Sequence, residues 1–98
     1  MPAYVVVNIR IHDPDLYAEY ARGAPGTVAA FGGRYVARGG AVEVREGAWS
    51  PERLVILEFP DVDAARAWYD SAEYTELRRI RERASDGELV ITEGVGAA

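Results

Sequence analysis

The chain contains no cysteine and no lysine, and only one histidine and three serines among its 98 residues. Without cysteine there are no disulfides, thiol nucleophiles or cysteine metal sites, and nothing points to an oxidising compartment. Without lysine there is no Schiff base and no pyridoxal anchor. His12 and the serines Ser50, Ser71 and Ser85 lie in separate segments with no G-x-S-x-G elbow, so a serine triad has no sequence support. No H-x-x-x-H pair or calcium-spaced acidic loop occurs, so no metal site is expected. Basic residues are also in deficit, eleven against sixteen acids, for a net charge of -5. That balance opposes nucleic acid and anionic membranes as partners, because no cationic surface is present to release counterions. The opening "MPAYVVVNIRIH" has neither a basic leader nor an apolar run long enough to span a bilayer, so a cytoplasmic protein is expected.

What is present alternates cleanly between strand and helix periods. In "AYVVVNIRI" (3–11), Val5, Val7, Ile9 and Ile11 face one way and Tyr4, Val6, Asn8 and Arg10 the other, which predicts a strand with two different faces. Asp13 then caps a helix with Pro14 at its first position and Leu16, Tyr17, Tyr20, Ala24 and Val28 on its apolar side. Gly23, Pro25 and Gly26 predict a kink or interruption there. "FGGRYVARGG" (31–40) holds four of the ten glycines. The first pair follows a helix and the second separates two extended segments, whereas a phosphate cradle sits between a strand and a helix N-terminus, so these glycines are turn punctuation. "RYVAR" is a second strand, "AVEVREG" an extra strand or arm, and residues 53–59 a central strand with Val55, Leu57 and Phe59 on one face and Leu54, Ile56 and Glu58 on the other. Pro60 and Asp61 open a helical segment, Ser71 caps its continuation, whose apolar stripe is Tyr74, Leu77, Ile80 and Ala84, and "GELVITEG" is the last strand.

The order of elements is the split β-α-β plan: an α+β, ferredoxin-like βαββαβ antiparallel sheet with its helices on one face, as a single domain over residues 1–95 with a flexible tail at 96–98. The other face carries Val6, Asn8, Leu54 and Ile56 with Arg10 and Glu58, too apolar in sum to stay in water. A chain this small gains from association. A homodimer with its sheets packed face to face is therefore expected.

The residues "GGR" (32–34), "EG" (46–47), Trp49, Arg53, "EFP" (58–60), "WY" (68–69), "EY" (73–74) and Arg81 resemble a bacterial family of domains of unknown function within the dimeric α/β-barrel superfamily. The resemblance covers nearly the whole chain. It implies a ferredoxin-like monomer paired sheet to sheet into a barrel, and it carries over no catalytic residues. Other branches of that superfamily, similar in fold only, include cofactor-independent monooxygenases, small-ring isomerases and haem-handling proteins.

Several polar and aromatic positions are candidates for a site. Arg34 is either an edge ion pair or a rigid fork for a ligand carboxylate. Glu58 is either the partner of Arg10, Arg34 or Arg38, or a carboxylate of raised pKa serving as a base. Trp68, Tyr69, Tyr74 and Tyr20 are either core or the walls of a pocket for a planar molecule, with Tyr74 a second candidate for chemistry. Arg81 flanks the apolar stripe, snorkelling or ion-paired. Trp49 seals either a dimer contact or a pocket, and His12 is a solvated junction residue. Two functions follow from these residues. In one, a homodimer without a bound cofactor binds a small organic acid and acts as a monooxygenase-like or isomerase-like enzyme. In the other it is a non-catalytic binding or stress-associated module. Haem handling is disfavoured, because relatives supply the haem ligand from a helix and His12 ends a strand.

Overall fold

The computed structural model describes residues 1–96. Elements run β1 (Ala3–Ile11), α1 (Pro14–Ala30), β2 (Arg34–Arg38), β3 (Arg53–Phe59), α2 (Val62–Asp70), α3 (Ala72–Ala84) and β4 (Ser85–Glu93). The strands form one sheet in the order β2-β3-β1-β4, with every neighbouring pair antiparallel. This is the ferredoxin-like α+β architecture. The expected tail lies, beyond Gly96, outside the described residues.

Local chemistry explains the joints. Asp13 accepts from the Leu16 N–H at 3.1 Å to start α1, with Pro14 in the first turn, where its missing N–H costs nothing. The helix ends in a Schellman motif: Gly33 N–H reaches Val28 O at 2.9 Å and Gly32 N–H reaches Ala29 O at 3.0 Å. Gly32 has φ +79°, the left-handed conformation this motif needs. Ser71 ends α2 and begins α3, its Oγ donating to Trp68 O at 2.7 Å and accepting from Tyr74 N–H at 3.2 Å.

The interruption expected in α1 and the expected start of the last strand are corrected, and one of two alternatives is decided. Helix α1 runs unbroken through Pro25; its packing against α3 outweighs one lost hydrogen bond, and a Cβ on Gly23 would lie 2.7 Å from Leu77 Cδ2, so the glycine serves close helix approach. The segment after β2 forms no strand, and every residue from Arg38 to Ser50 is exposed, so of the two forms expected there it is the arm. Strand β4 begins at Ser85, two residues earlier than the Gly87 expected, because Ala84 O accepts from both His12 and Asp13 N–H at 3.0 Å and ties the end of α3 to the end of β1.

All three helices pack on one face of the sheet. There Val5, Val7, Ile9, Val55, Leu57 and Phe59 meet Tyr17, Val28, Trp68 and Tyr74 to form the core. The opposite face has no helix on it. Its centre is Val6, Ile56, Leu54 and Val90, of which Val90 is 56% exposed. Among the described residues no helix is long and apolar enough to cross a membrane.

Candidate functional site

The cavity that gathers most aromatic and cationic chemistry lies between the sheet and the helices. Val7, Ile9, Val55 and Leu57 form its sheet wall, Tyr17, Tyr20, Ala21 and Ala24 its α1 wall, and Trp68 and Tyr74 its floor. The cavity is about 40 Å³, and the space about it reaches about 490 Å³ when open solvent is counted. Ala21 and Arg38 are exposed whereas Trp68 and Tyr74 are buried, so the mouth is at the former pair. Tyr35, Arg38 and Arg53 complete the rim.

The two rim arginines come from adjacent strands. Arg38 pairs in register with Val55, and Arg53 precedes Val55 by two, so both side chains stand on the helix face at one end of the sheet. Arg38 stacks over the Tyr35 ring at 4.4 Å and Arg53 over the Tyr17 ring at 5.6 Å. Neither has a carboxylate within ion-pair distance among the described residues. The Arg53 Nε is buried and has no hydrogen-bond partner there. A buried charged donor left unpaired is costly, which makes this atom the most demanding group of the site.

Behind the rim is a hydroxyl chain. Tyr20 and Tyr74 share a hydrogen bond of 2.8 Å, and Arg81 Nη1 donates to the Tyr74 hydroxyl at 3.0 Å. Burial, with the neighbouring Tyr74, pushes the Tyr20 phenol far above its ordinary value; burial also raises Tyr74, against the opposing effect of Arg81. Tyr35 is pushed up to about 12 by burial and the nearby Tyr20. All three phenols therefore stay protonated near neutral pH.

The residues singled out in the sequence divide between the two faces of the sheet. Trp68, Tyr74 and Tyr20 line the cavity. Arg81 stands behind Tyr74 rather than in the lining, with no ion pair among the described residues. Tyr69 accepts from Arg78 at 2.9 Å beneath that guanidinium and stays out of the cavity. Arg34 and Glu58 sit on the opposite face, joined at 2.7 Å, with Tyr4 donating to the same carboxylate at 2.8 Å. They line an open groove of about 290 Å³ with Pro2, Gly32, Phe59 and Pro60. The bonds from Tyr4 and Arg34 hold the Glu58 carboxyl below its ordinary value, so the raised-pKa base does not occur and the ion pair does. His12 is a solvated junction residue, its Nε2 3.9 Å from Asp86, and Trp49 is 61% exposed on the arm.

Sequence reading missed Arg38, Arg53 and Tyr35. Arg53 was findable, since it shares the phase of Val55, Leu57 and Phe59. Arg38 was not: a register shift between Tyr35 and Ala37 inserts one residue into β2 and turns Arg38 to the helix side.

Three comparisons with known proteins bear on this architecture. A protein of unknown function from Rhodopseudomonas palustris superposes with TM-score 0.77 at 20% identity, covering 98% of this chain and 84% of that one. SnoaB, a cofactor-independent oxygenase from Streptomyces nogalater, superposes with TM-score 0.65 at 13% identity, covering 98% and 95%. A dimeric ferredoxin-like protein of unknown function from Thermobifida fusca gives TM-score 0.64 at 17% identity, covering 96% and 92%. At these identities the likeness is one of fold alone. No curated protein matches the chain. The family described as "Domain of unknown function (DUF1330)" matches over residues 2–95.

Proposed function

The chain belongs to the DUF1330 family, and from that premise we propose that it is a homodimer whose subunits each bind a small organic anion with an aromatic body in the cavity between helices and sheet. The observation that carries this reading is the pair Arg38 and Arg53 on the cavity rim, with no carboxylate partner among the described residues and with Arg53 Nε buried and unpaired. A ligand carboxylate satisfies both guanidinium groups, and the walls of Tyr17, Tyr35 and Trp68 receive a flat apolar body. Arg34, Glu58, Tyr69 and Arg81 take supporting places, at the sheet edge and behind the tyrosines.

The dimer belongs to the same reading. The uncovered sheet face has an apolar centre at Val6, Leu54, Ile56 and Val90, bordered by the Arg34–Glu58–Tyr4 cluster at one end and Arg10–Glu88–Asn8 at the other. An apolar core with a polar rim is the anatomy of a protein interface. Face-to-face packing of two such sheets makes the α/β barrel. One domain over residues 1–95 in the cytoplasm completes the proposal.

The binding role is favoured over general-base catalysis because Glu58 is tied up in its ion pair and the cavity tyrosines are held protonated. Calorimetric titration of substituted benzoates tests the reading. Wild type and Arg34→Gln should bind alike, whereas Arg53→Gln should lose at least about tenfold in affinity, the scale of one charged hydrogen bond. Equal loss in Arg34→Gln and Arg53→Gln overturns the location. Mass spectrometry after incubation of the bound acid in air then separates the two functions: an unchanged ligand supports the binding protein, and an oxygenated product the monooxygenase-like enzyme.

A further inference from the structure

The hydrogen bonds of the Tyr20–Tyr74–Arg81 chain use only one of its two hydroxyl protons. Arginine only donates, so the Tyr74 oxygen is already an acceptor for Arg81. The Tyr20–Tyr74 bond consumes one of the two hydroxyl protons, whichever of the two donates it. The other proton has no acceptor among the hydrogen bonds of the described residues, and both tyrosines line the cavity. With Arg81 donating to Tyr74, the favoured polarity runs Arg81 to Tyr74 to Tyr20, since each donor then strengthens the next. In that polarity the Tyr20 proton is the one left without an acceptor, on a residue that lines the cavity.

From this geometry we infer that the cavity selects organic acids that carry a second, neutral oxygen acceptor, such as a ketone, placed to accept a hydrogen bond from Tyr20 while the carboxylate meets Arg38 and Arg53. The inference rests on the anion-binding reading above and narrows it from organic acids in general to oxo-substituted ones. Two features make the donor selective. Burial keeps the Tyr20 phenol protonated across the physiological range. The cavity floor around it, Trp68 and Tyr74, is 0–1% exposed, so an unmatched donor facing an apolar ligand loses water without replacement.

The test compares acetylbenzoate with isopropenylbenzoate, in the 3- and 4-substituted forms. Each pair matches in shape and charge and differs only in replacing the ketone oxygen by a methylene group. Isothermal titration of the full chain should show the ketone of at least one pair binding about five- to tenfold more tightly, the scale of one buried hydrogen bond. In Tyr20→Phe the two members should bind equally, while in Arg53→Gln both should weaken and their ratio persist. Equal affinities in wild type for both pairs overturn the inference while leaving the anion-binding reading intact. Binding of none of the four acids overturns that reading and the inference with it. Thermal unfolding of Tyr20→Phe checks its fold, and if it does not fold, the wild-type ratio alone decides.

Discussion

Replacing Gly33 with alanine should destabilise the protein, and the cause is a single contact. A Cβ at Gly33 would stand 2.5, 2.8 and 2.9 Å from Cε1, Cζ and Cδ1 of Phe59, far inside the 3.4 Å at which ordinary contact begins. The ring cannot swing clear: Phe59 is 1% exposed and stacks at 5.4 Å on Trp68, itself part of the cavity floor. Gly33 lies outside the left-handed region, so backbone strain does not contribute. Overpacking of this kind costs about 1–3 kcal/mol. For a domain near a hundred residues that lowers the melting temperature by roughly 5–15 °C. The assay is thermal unfolding at fixed protein concentration, because the midpoint of the proposed dimer would move with concentration. Gly40→Ala is the control from the same ten-residue stretch, since nothing lies within 4 Å of its Cβ position. It should be neutral or stabilising by up to about 1 kcal/mol through the unfolded chain. Phe59→Leu removes the ring atoms nearest the new methyl group, so the double variant should lose less than the two single losses combined. A melting temperature unchanged in Gly33→Ala, or strict additivity in the double variant, would refute the packing argument.

The remaining predictions concern the sheet face and the rim. Ile56→Asp places an unpaired charge at the centre of the uncovered face, opposite Val6, and should convert a dimer to monomer in sedimentation velocity; a dimer of undiminished stability would sink the face-to-face arrangement. Gly39→Ala meets both a positive φ of +70° and the guanidinium of Arg53, so it should cost about 1–2 kcal/mol of stability. It should also weaken binding of benzoates by displacing Arg53, and unaltered affinity would detach Gly39 from the rim. Glu58 has a folded-state pKa below its ordinary value of 4.5, so its stabilisation is full above that value and is lost as pH falls through the lower folded value. Denaturation midpoints of wild type and Glu58→Gln should therefore converge toward acid pH; a gap that widens on acidification contradicts the assigned ion pair.

The strands and helices were legible because their signals are local. Alternation over 3–11 and 53–59, the Asp13 cap, and Ser71 as a hinge between two helices each follow from residues within a few positions of one another. The expected site was assembled across elements, and there the reading ran out. Glu58 shares the phase of Leu54 and Ile56, and that alternation already separated it from Trp68 and Tyr74, which sit on helices covering the other face. Arg34 followed Glu58, its register partner. Arg38 depended on a bulge with no proline or glycine to mark it, since Val36 lies between Tyr35 and Ala37 like any strand residue. The continuity of α1 through Pro25 was equally hidden, because the compensating contact, Leu77 on Gly23, comes from more than fifty residues away.

The arm between β2 and β3 has a consequence for how such a chain can diversify. Its ends are clamped by the bond from Gly39 N–H to Leu54 O at 2.9 Å, and the residues that flank it, Arg38 and Arg53, are the two cations of the cavity rim. Closure entropy rises so slowly that doubling the length of a flexible loop costs only about 0.6 kcal/mol. Insertions and deletions here leave strand register and core untouched, yet they alter what stands beside the mouth of the cavity. The fold thus sets an exposed stretch with no regular structure beside the cavity mouth, and if the cavity binds as proposed, variants that differ only in arm length and composition are an inexpensive route to new ligand preferences.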